Sequence, residues 1–406
     1  MSSPGLIVVG ASLAGLRAAE AARRLGYQGS VTLIGEEAHL PYDRPPLSKA
    51  FLTSAEPVDP AFRSLDQLAE AGVEVRLGAT ATSLDPVAKR VLVDGEWLAY
   101  GGLIIATGAS ARWLPGLPEL PGVQGLRTRD DAAAIRSALL AGARVVVVGA
   151  GFIGSEVASS ARALGCQVTV LEALDTPLIR AVGPRLGALL SRLHATNGTD
   201  LRCGARVTGI GGEGRVEFVE LADGTILPAD LVVVGVGSRP NTDWLAGSGL
   251  ELADGVVCDG FLNAGAEGVY AAGDVVRWPN PSFPELATMR LEHWTSAAEQ
   301  AVHAVRNWLA PQAATPFRTV PYFWSDWYGS RIQFVGTPPI EEVRFVAGDP
   351  EGDAFLALCR CGERLIGALA LNQPAAIMRY RGLIGRGCGW AEALEFAAAR
   401  MAVAAG

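Results

Sequence analysis

The chain is poor in metal-ligating and thiol chemistry. Its four histidines, His39, His194, His293 and His303, are scattered along 406 residues, so no zinc centre built on clustered imidazoles is expected. The six cysteines, Cys166, Cys203, Cys258, Cys359, Cys361 and Cys388, form neither CxxC nor CxxxxC, and Cys359-Arg360-Cys361 is too tight for the usual redox or metal spacings. They read as small core residues. No run approaches the ~18 apolar residues that a membrane helix needs, so no membrane association is expected. The N-terminus lacks a basic segment followed by an apolar one, which points to the cytoplasm. Charge is modest at 19% of residues, and the net value of −8 disfavours nucleic acid as a partner. What is plentiful is glycine, 49 residues of it, in a chain that is half hydrophobic. Such a length and composition predict two or three globular domains with large cores.

The glycines mark the first organised stretch. Leu6-Ile7-Val8-Val9 reads as a buried parallel strand, and Gly10-Ala11-Ser12-Leu13-Ala14-Gly15 as a turn. Leu16 to Leu25 is rich in helix formers, Gly26 closes that helix, and Val31 to Ile34 is the next strand, followed by Glu36. This is a βαβ unit suited to a dinucleotide. Unpaired N–H groups and the positive end of the helix dipole face a pyrophosphate; Gly10 makes the tight turn and Gly15 lets helix and strand pack closely. Glu36 is placed to accept from a ribose hydroxyl. Ser12 departs from the pattern, standing where a middle glycine is usual. It brings a Cβ toward the pyrophosphate and a hydroxyl that can donate to it.

The arrangement recurs. Arg144 to Val148 is a strand, Gly149-Ala150-Gly151-Phe152-Ile153-Gly154 is a complete GxGxxG, Ser155 to Leu164 a helix, and Val168 to Leu171 a strand ending at Glu172. Two such fingerprints, each in its strand–turn–helix–strand setting, make dinucleotide binding a specific reading. Glu172 would repel a 2′-phosphate and no arginine follows it, so NADH is expected over NADPH.

Between and beyond the fingerprints, Leu65 to Ala71 reads as a helix, Val73 to Leu77 as a strand and Arg90 to Tyr100 as a hairpin turning at Asp94-Gly95. Leu103-Ile104-Ile105 breaks into Ala106-Thr107-Gly108, and Pro115, Pro118 and Pro121 mark a crossover. Leu231 to Val236 is a buried strand meeting a turn at Gly237, Gly268 to Ala272 a strand ending in Gly273-Asp274, and Thr295 to Leu309 a helix. From about Thr315 the texture turns aromatic and β-rich, with a final helix from Trp390, and reads as a smaller α+β domain.

The two dinucleotide folds, Ala106-Thr107-Gly108 and Tyr270-Ala271-Ala272-Gly273-Asp274 together resemble the flavoprotein disulfide reductase superfamily. Pro41-Tyr42-Asp43-Arg44-Pro45-Pro46-Leu47-Ser48-Lys49, Arg290-Leu291-Glu292-His293-Trp294 and Val320 to Asp326 narrow the likeness to the oxygenase-coupled, NADH-dependent ferredoxin reductases, the family of putidaredoxin reductase and the biphenyl dioxygenase reductase. The resemblance runs along nearly the whole chain, with Ser12 and Trp327 as departures. It implies an α/β fold class, with two Rossmann-like dinucleotide-binding domains and a small C-terminal α+β domain. An FAD domain would be formed by residues 1–110 and 240–314, an NAD domain by 111–239 and the last domain by 315–406.

The likeness also implies site residues. FAD would lie over Gly10, Ser12, Ala14 and Gly15, with Glu36 on its ribose, Ala81 against adenine, and Arg44, Pro45 and Lys49 toward the flavin. Arg127 would stand near its diphosphate and Asp274 on its ribityl hydroxyls, with Trp294 at the pyrimidine end. Thr107, Gly108, Glu292 and Gly237 complete the cofactor-binding set. Gly149, Gly151, Ile153, Gly154, Glu156 and Glu172 would meet NADH. Lys49, able to pair with Glu156, and Trp324, beside the flavin ring, are the catalytic candidates.

Thiol-using relatives carry CxxxxC or a single cysteine where this chain has Arg44 to Lys49, so two-electron disulfide chemistry is not expected. Without cluster-binding cysteines, the iron–sulfur centre belongs to a partner. The implied function is passage of electrons from NADH through FAD, one at a time, to a [2Fe–2S] ferredoxin that feeds an oxygenase, the oxygenase being reached only through the ferredoxin. Arg331, Arg344, Arg379, Arg381 and Arg386 are candidates for a local basic docking face. The sequence leaves open an apoptosis-inducing-factor-like redox sensor, an NADH oxidase and rubredoxin as the acceptor.

Overall fold

A computed structural model describes residues 4–116, 118 and 120–405, so the domain ends Met1–Ser3 and Gly406 lie outside the described residues. The chain divides into two units: residues 1–43, 59–110 and 239–321 form one, and residues 44–58, 111–238 and 322–406 the other.

The first unit is built on a five-stranded parallel sheet in the order Val269–Ala271, Gly102–Ile105, Leu6–Val9, Val31–Gly35, Val73–Leu77. Leu6, Ile7, Val8 and Val9 are all buried, as a central parallel strand covered on both faces requires. At about 1.5–3 kcal/mol per buried aliphatic side chain, such strands supply most of the drive to form the sheet. The helices Leu13–Arg24 and Trp294–Leu309 pack together in this unit. A three-stranded antiparallel sheet, Ala81–Asp85, Arg90–Val93 and Glu96–Ala99, contains the expected hairpin, with Asp94 and Gly95 both at positive φ.

The second unit repeats the theme. Its parallel sheet runs Asp200–Arg202, Val168–Leu171, Val145–Val148, Leu231–Val234, Val123–Gln124. Also in it is a five-stranded antiparallel sheet, Tyr322–Trp327, Ser330–Gly336, Arg364–Leu371, Phe355–Cys361, Glu342–Gly348, followed by helices Pro374–Gly385 and Trp390–Ala405. The fold is thus α/β with two Rossmann-like domains and a small α+β domain at the C-terminus. One apolar core joins Val182, Leu186 and Leu190 of the helix Ile179–Thr196 to Trp327, Phe334 and Phe355 of that last sheet.

Residues 44–58 keep company with the second unit for a definite reason. The Arg136 guanidinium donates to the carbonyls of Phe51, Ser54 and Ala55, the Arg44 guanidinium to the Arg127 carbonyl, and Ser160 Oγ to the Ser48 carbonyl at 2.7 Å.

Candidate active site

In the first unit the glycine turn is forced by its surroundings. Gly10 sits at φ +114°, where a Cβ would lie 2.1 Å from the Ala106 carbonyl oxygen, and a Cβ on Gly15 would lie 1.9 Å from the Gly10 oxygen. Neither position admits a side chain. Ser12 is extended, its side chain does not cap the helix Leu13–Arg24, and that helix has no acid in its first turn. The contrast lies within the same molecule: Leu65–Glu70 and Arg129–Leu140 close their N-termini with full capping boxes, Ser64 with Gln67 and Thr128 with Asp131. An uncapped, acid-free helix start at a glycine turn suits an anion.

Of the other expected residues of this unit, Thr107 and Gly273 lie beside that turn. Glu36 is exposed just past the second strand. Thr107 and Gly108 are stapled by Asn241: Thr107 Oγ1 donates to the Asn241 carbonyl at 2.8 Å, Asn241 Nδ2 to the Thr107 carbonyl at 2.9 Å, and the Asn241 N–H to the Gly108 carbonyl at 3.0 Å. Gly273, next to Asp274, sits where a Cβ would lie 3.1 Å from the Ala14 Cβ, and its N–H donates to the buried Gln300 Oε1 at 2.8 Å. Arg290 ties the Asp274 carbonyl to the Glu292 carboxylate. Trp294 opens the helix Trp294–Leu309, its indole N–H donating to Asp43 Oδ1 at 2.8 Å. Ala81 begins the antiparallel strand Ala81–Asp85.

In the second unit Gly149 and Gly154 are again locked, with a Cβ falling 2.5 Å from the Gly235 oxygen and 2.2 Å from the Gly149 oxygen respectively. Gly151 is different. Its φ of −76° suits any residue, and a Cβ there would meet nothing nearer than the Gly235 oxygen at 3.8 Å. The protein itself does not require glycine at this position; the space beside it is what a bound pyrophosphate would fill. The helix it opens, Phe152–Ala163, has no acid in its first turn, and Ile153 there is exposed. Glu172 is oriented by two backbone donors, Ala150 N–H on Oε2 and Leu174 N–H on Oε1, each at 3.0 Å, which leaves acceptor positions for ribose hydroxyls. Gly237, at φ +116°, accepts from the Arg112 N–H.

Among its described residues the same unit buries one carboxylate, Glu156, at 3% exposure. Lys49 Nζ lies 2.6 Å from its Oε2, which also accepts from Ser48 Oγ at 2.5 Å; Oε1 accepts from Ser325 Oγ at 2.5 Å and from the Asp326 N–H at 3.3 Å. Lys49 keeps a second contact with the Pro45 carbonyl at 3.2 Å. Trp324 is half-buried, with the Arg331 guanidinium 5.7 Å above its ring and the Tyr322 ring 5.9 Å away.

A family model described as pyridine nucleotide-disulphide oxidoreductase matches residues 4–301, and one described as reductase C-terminal matches residues 322–402. The chain belongs to the pyridine nucleotide-disulphide oxidoreductase family. Rhodocoxin reductase of Rhodococcus erythropolis is 36% identical, the match covering 93% of this chain and 89% of that protein. The biphenyl dioxygenase system ferredoxin–NAD(+) reductase component of Paraburkholderia xenovorans is 36% identical, over 94% and 93%. Among solved structures, the covalent putidaredoxin reductase–putidaredoxin complex matches at a TM-score of 0.89 and 30% identity, covering 95% and 94%. The ferredoxin reductase resemblance read from the motifs therefore holds, and this oxidoreductase uses FAD and NADH.

Several residues of this oxidoreductase were not singled out by sequence. Asn241 follows Arg239-Pro240 in what reads as an ordinary turn, 134 residues from the Thr107 it holds. Ser48 and Ser325 lie inside recognised motifs, yet nothing in those motifs points a serine at Glu156. Trp327, the departure without a reading, is fully buried and donates its indole N–H to Ser325 Oγ at 2.7 Å. The cysteines follow expectation at Cys166, Cys258, Cys359 and Cys388, all buried; burial pushes the Cys359 thiol up to about 12 and that of Cys388 up to about 11. Cys203 and Cys361 depart from it. Cys203 is exposed just past the edge strand Asp200–Arg202, and Cys361 is half-buried at the end of Phe355–Cys361. No group of His, Cys, Asp and Glu among the described residues is arranged to hold a metal, and no described helix is long and apolar enough to cross a membrane.

Proposed function

We propose that this oxidoreductase takes electrons from NADH and delivers them singly to a [2Fe–2S] ferredoxin that serves an oxygenase, and that it works in the cytoplasm. FAD bound in the first fold supplies the conversion of a two-electron donor into two one-electron deliveries. Residues 1–110 and 240–314 make the FAD domain, 111–239 the NAD domain and 315–406 the last domain. The observation that carries the reading is Lys49. The cation is paired with a buried carboxylate in the segment where thiol-using relatives place cysteine, so electrons have no disulfide to pass through.

Each residue then has a task of its own. The N–H groups at Gly10 to Gly15, with the Ser12 hydroxyl, bind one pyrophosphate, and those at Gly149 to Gly154 bind the other. Glu36 and Glu172 accept from ribose hydroxyls, and Glu172 turns away a 2′-phosphate. Asp274, held through Arg290 and Gly273, binds the ribityl chain. Ala81 touches adenine, Arg127 and Arg44 lie toward the diphosphate and flavin, and Trp294 with Glu292 closes the pyrimidine end. Lys49 places positive charge where the reduced ring is negative. Trp324 borders the electron exit.

Arg344, Arg379 and Arg386 are exposed, and with Arg331 and Arg381 they give an acidic ferredoxin a basic approach within a chain of net charge −8. Such charges raise encounter rate more than affinity. Anaerobic mixing of the FAD-loaded protein with NADH and with NADPH tests the reading. NADH bleaches the flavin absorbance rapidly and NADPH slowly; equal rates would contradict the assignment of Glu172, and no bleaching by either would contradict the function.

A further inference from the structure

The hairpin of Tyr322–Trp327 and Ser330–Gly336 has two faces, because successive strand residues point opposite ways. Phe323, Ser325 and Trp327 share one face, and it lies on the glycine-turn helix Phe152–Ala163. The Phe323 ring is 4.3 Å from that of Phe152, and the Trp327 ring is 6.3 Å from Phe152 and 5.5 Å from His194. Glu156 is buried in this wall with four donors on its two oxygens.

The direction of the hydrogen bonds follows from the donor inventory. An indole N–H only donates, so Ser325 Oγ accepts from Trp327 and its own hydrogen goes to Glu156. The chain therefore runs one way, Trp327 to Ser325 to Glu156, and the ammonium of Lys49 rests on the far oxygen. Ordering a lysine side chain costs more rotamer entropy than a lone surface ion pair returns, so a pair of that kind would not hold it still. A carboxylate fixed by three other donors does.

The composition adds to this. The chain has only two lysines, Lys49 and Lys89, among 34 basic residues. Arginine carries positive charge almost everywhere else, and the compact point charge of an ammonium is kept here.

We infer that Trp327 and Ser325 are positioning residues: together they hold the Glu156 carboxylate in one orientation and so fix the place of the Lys49 ammonium. What the fixed ammonium is for rests on the proposed function; the lock itself does not.

The two-lysine composition makes the test clean. A brief pulse of acetic anhydride, followed by peptide mass spectrometry, reads Lys49 labelling against Lys89, an internal reference whose half-buried side chain pairs with the exposed Glu267 carboxylate, at 2.9 Å, and lies away from the substituted residues in sequence. It is applied to the apoprotein and the FAD-loaded protein. Ser325→Ala raises the Lys49 to Lys89 ratio about fivefold, the opening expected when one held ion pair is released. Trp327→Phe raises it less, and Ser325→Thr, which keeps the hydroxyl, restores the wild-type ratio. Should Ser325→Ala fail to fold, Trp327→Phe carries the test, because it leaves every donor to Glu156 in place. An unchanged ratio in folded Ser325→Ala and Trp327→Phe overturns the inference. The rate of flavin reduction by NADH, measured on the same loaded variants, separates the two claims. A raised ratio with a slower rate supports both. A raised ratio with an unaltered rate supports the lock and overturns the role given to Lys49.

Discussion

Gly151 is the position where stability and ligand binding part company, and Gly151→Asp exploits the difference. The residue is the N-cap of Phe152–Ala163 at φ −76° and ψ −177°, with no protein atom closer than 3.8 Å to a Cβ built there. Aspartate is among the best N-cap residues and complements the helix dipole, so the apoprotein gains about 0.5–1 kcal/mol. In a chain of this size that raises Tm by roughly 1–3 °C. The same carboxylate would face the bound pyrophosphate. One unit charge about 5 Å from another at an effective dielectric of ~20 costs about 3 kcal/mol, so the Kd for NADH rises roughly a hundredfold. Calorimetric titration with NADH and thermal melts of the apoprotein read the two effects separately. The control is Gly154→Ala, whose Cβ would lie 2.2 Å from the Gly149 oxygen and 3.0 Å from Val147 Cγ1; it lowers Tm. Wild-type NADH affinity in a folded Gly151→Asp protein would refute the reasoning.

Three further outcomes are expected. Lys49→Ala slows flavin reduction by NADH about tenfold or more while FAD affinity changes little, since the cation acts on charge that develops during reduction; stopped-flow traces identical to wild type would dispose of this. Glu172→Ala loses its discrimination against the 2′-phosphate, and the NADH to NADPH ratio of kcat/KM falls about tenfold, so an unaltered ratio would count against the ribose assignment. His194 is fully buried between Ser155 Oγ at 3.2 Å and the Tyr328 hydroxyl at 2.9 Å, and burial pulls it down to about 4 from an ordinary 6.5. Because the unfolded chain binds the proton first, the stability this neutral imidazole contributes is complete above pH 6.5 and is lost as pH falls toward 4. About 2 kcal/mol of it is gone at pH 5. Urea midpoints at pH 7.5 and 5.0 check this: His194→Gln shows a smaller drop than wild type, and equal drops in both proteins would sink the idea.

What could be read from the sequence was local. Each glycine turn lies within about 30 residues of its own flanking apolar strands and of the acid that follows them, Glu36 or Glu172, where spacing alone determines which face and which end a residue occupies. The hairpin turning at Asp94-Gly95 was legible for the same reason, and so was the β-rich texture of the last domain, though not the order of its strands. What escaped was contact across long loops. Asn241 holds Thr107 and Gly108 from 134 residues away, and Ser325 reaches Glu156 from 169 away. Neither separation has a periodicity to betray it.

Trp327 illustrates the same limit. In a strand of alternating aromatics, Trp324 and Trp327 point to opposite faces, and pattern alone does not say which face is covered. The structure leaves Trp324 half-buried and buries Trp327 completely. Pro41 to Lys49 was legible as a motif, but the company that residues 44–58 keep was not, because it depends on the Arg136 guanidinium meeting three carbonyls.

The most direct measurement is NADH-driven cytochrome c reduction with and without an added [2Fe–2S] ferredoxin, with oxygen uptake recorded in the same cell. Strong dependence on the ferredoxin, with little oxygen consumed, is the expected result. Rapid oxygen uptake that is indifferent to ferredoxin would contradict it and make the protein an oxidase.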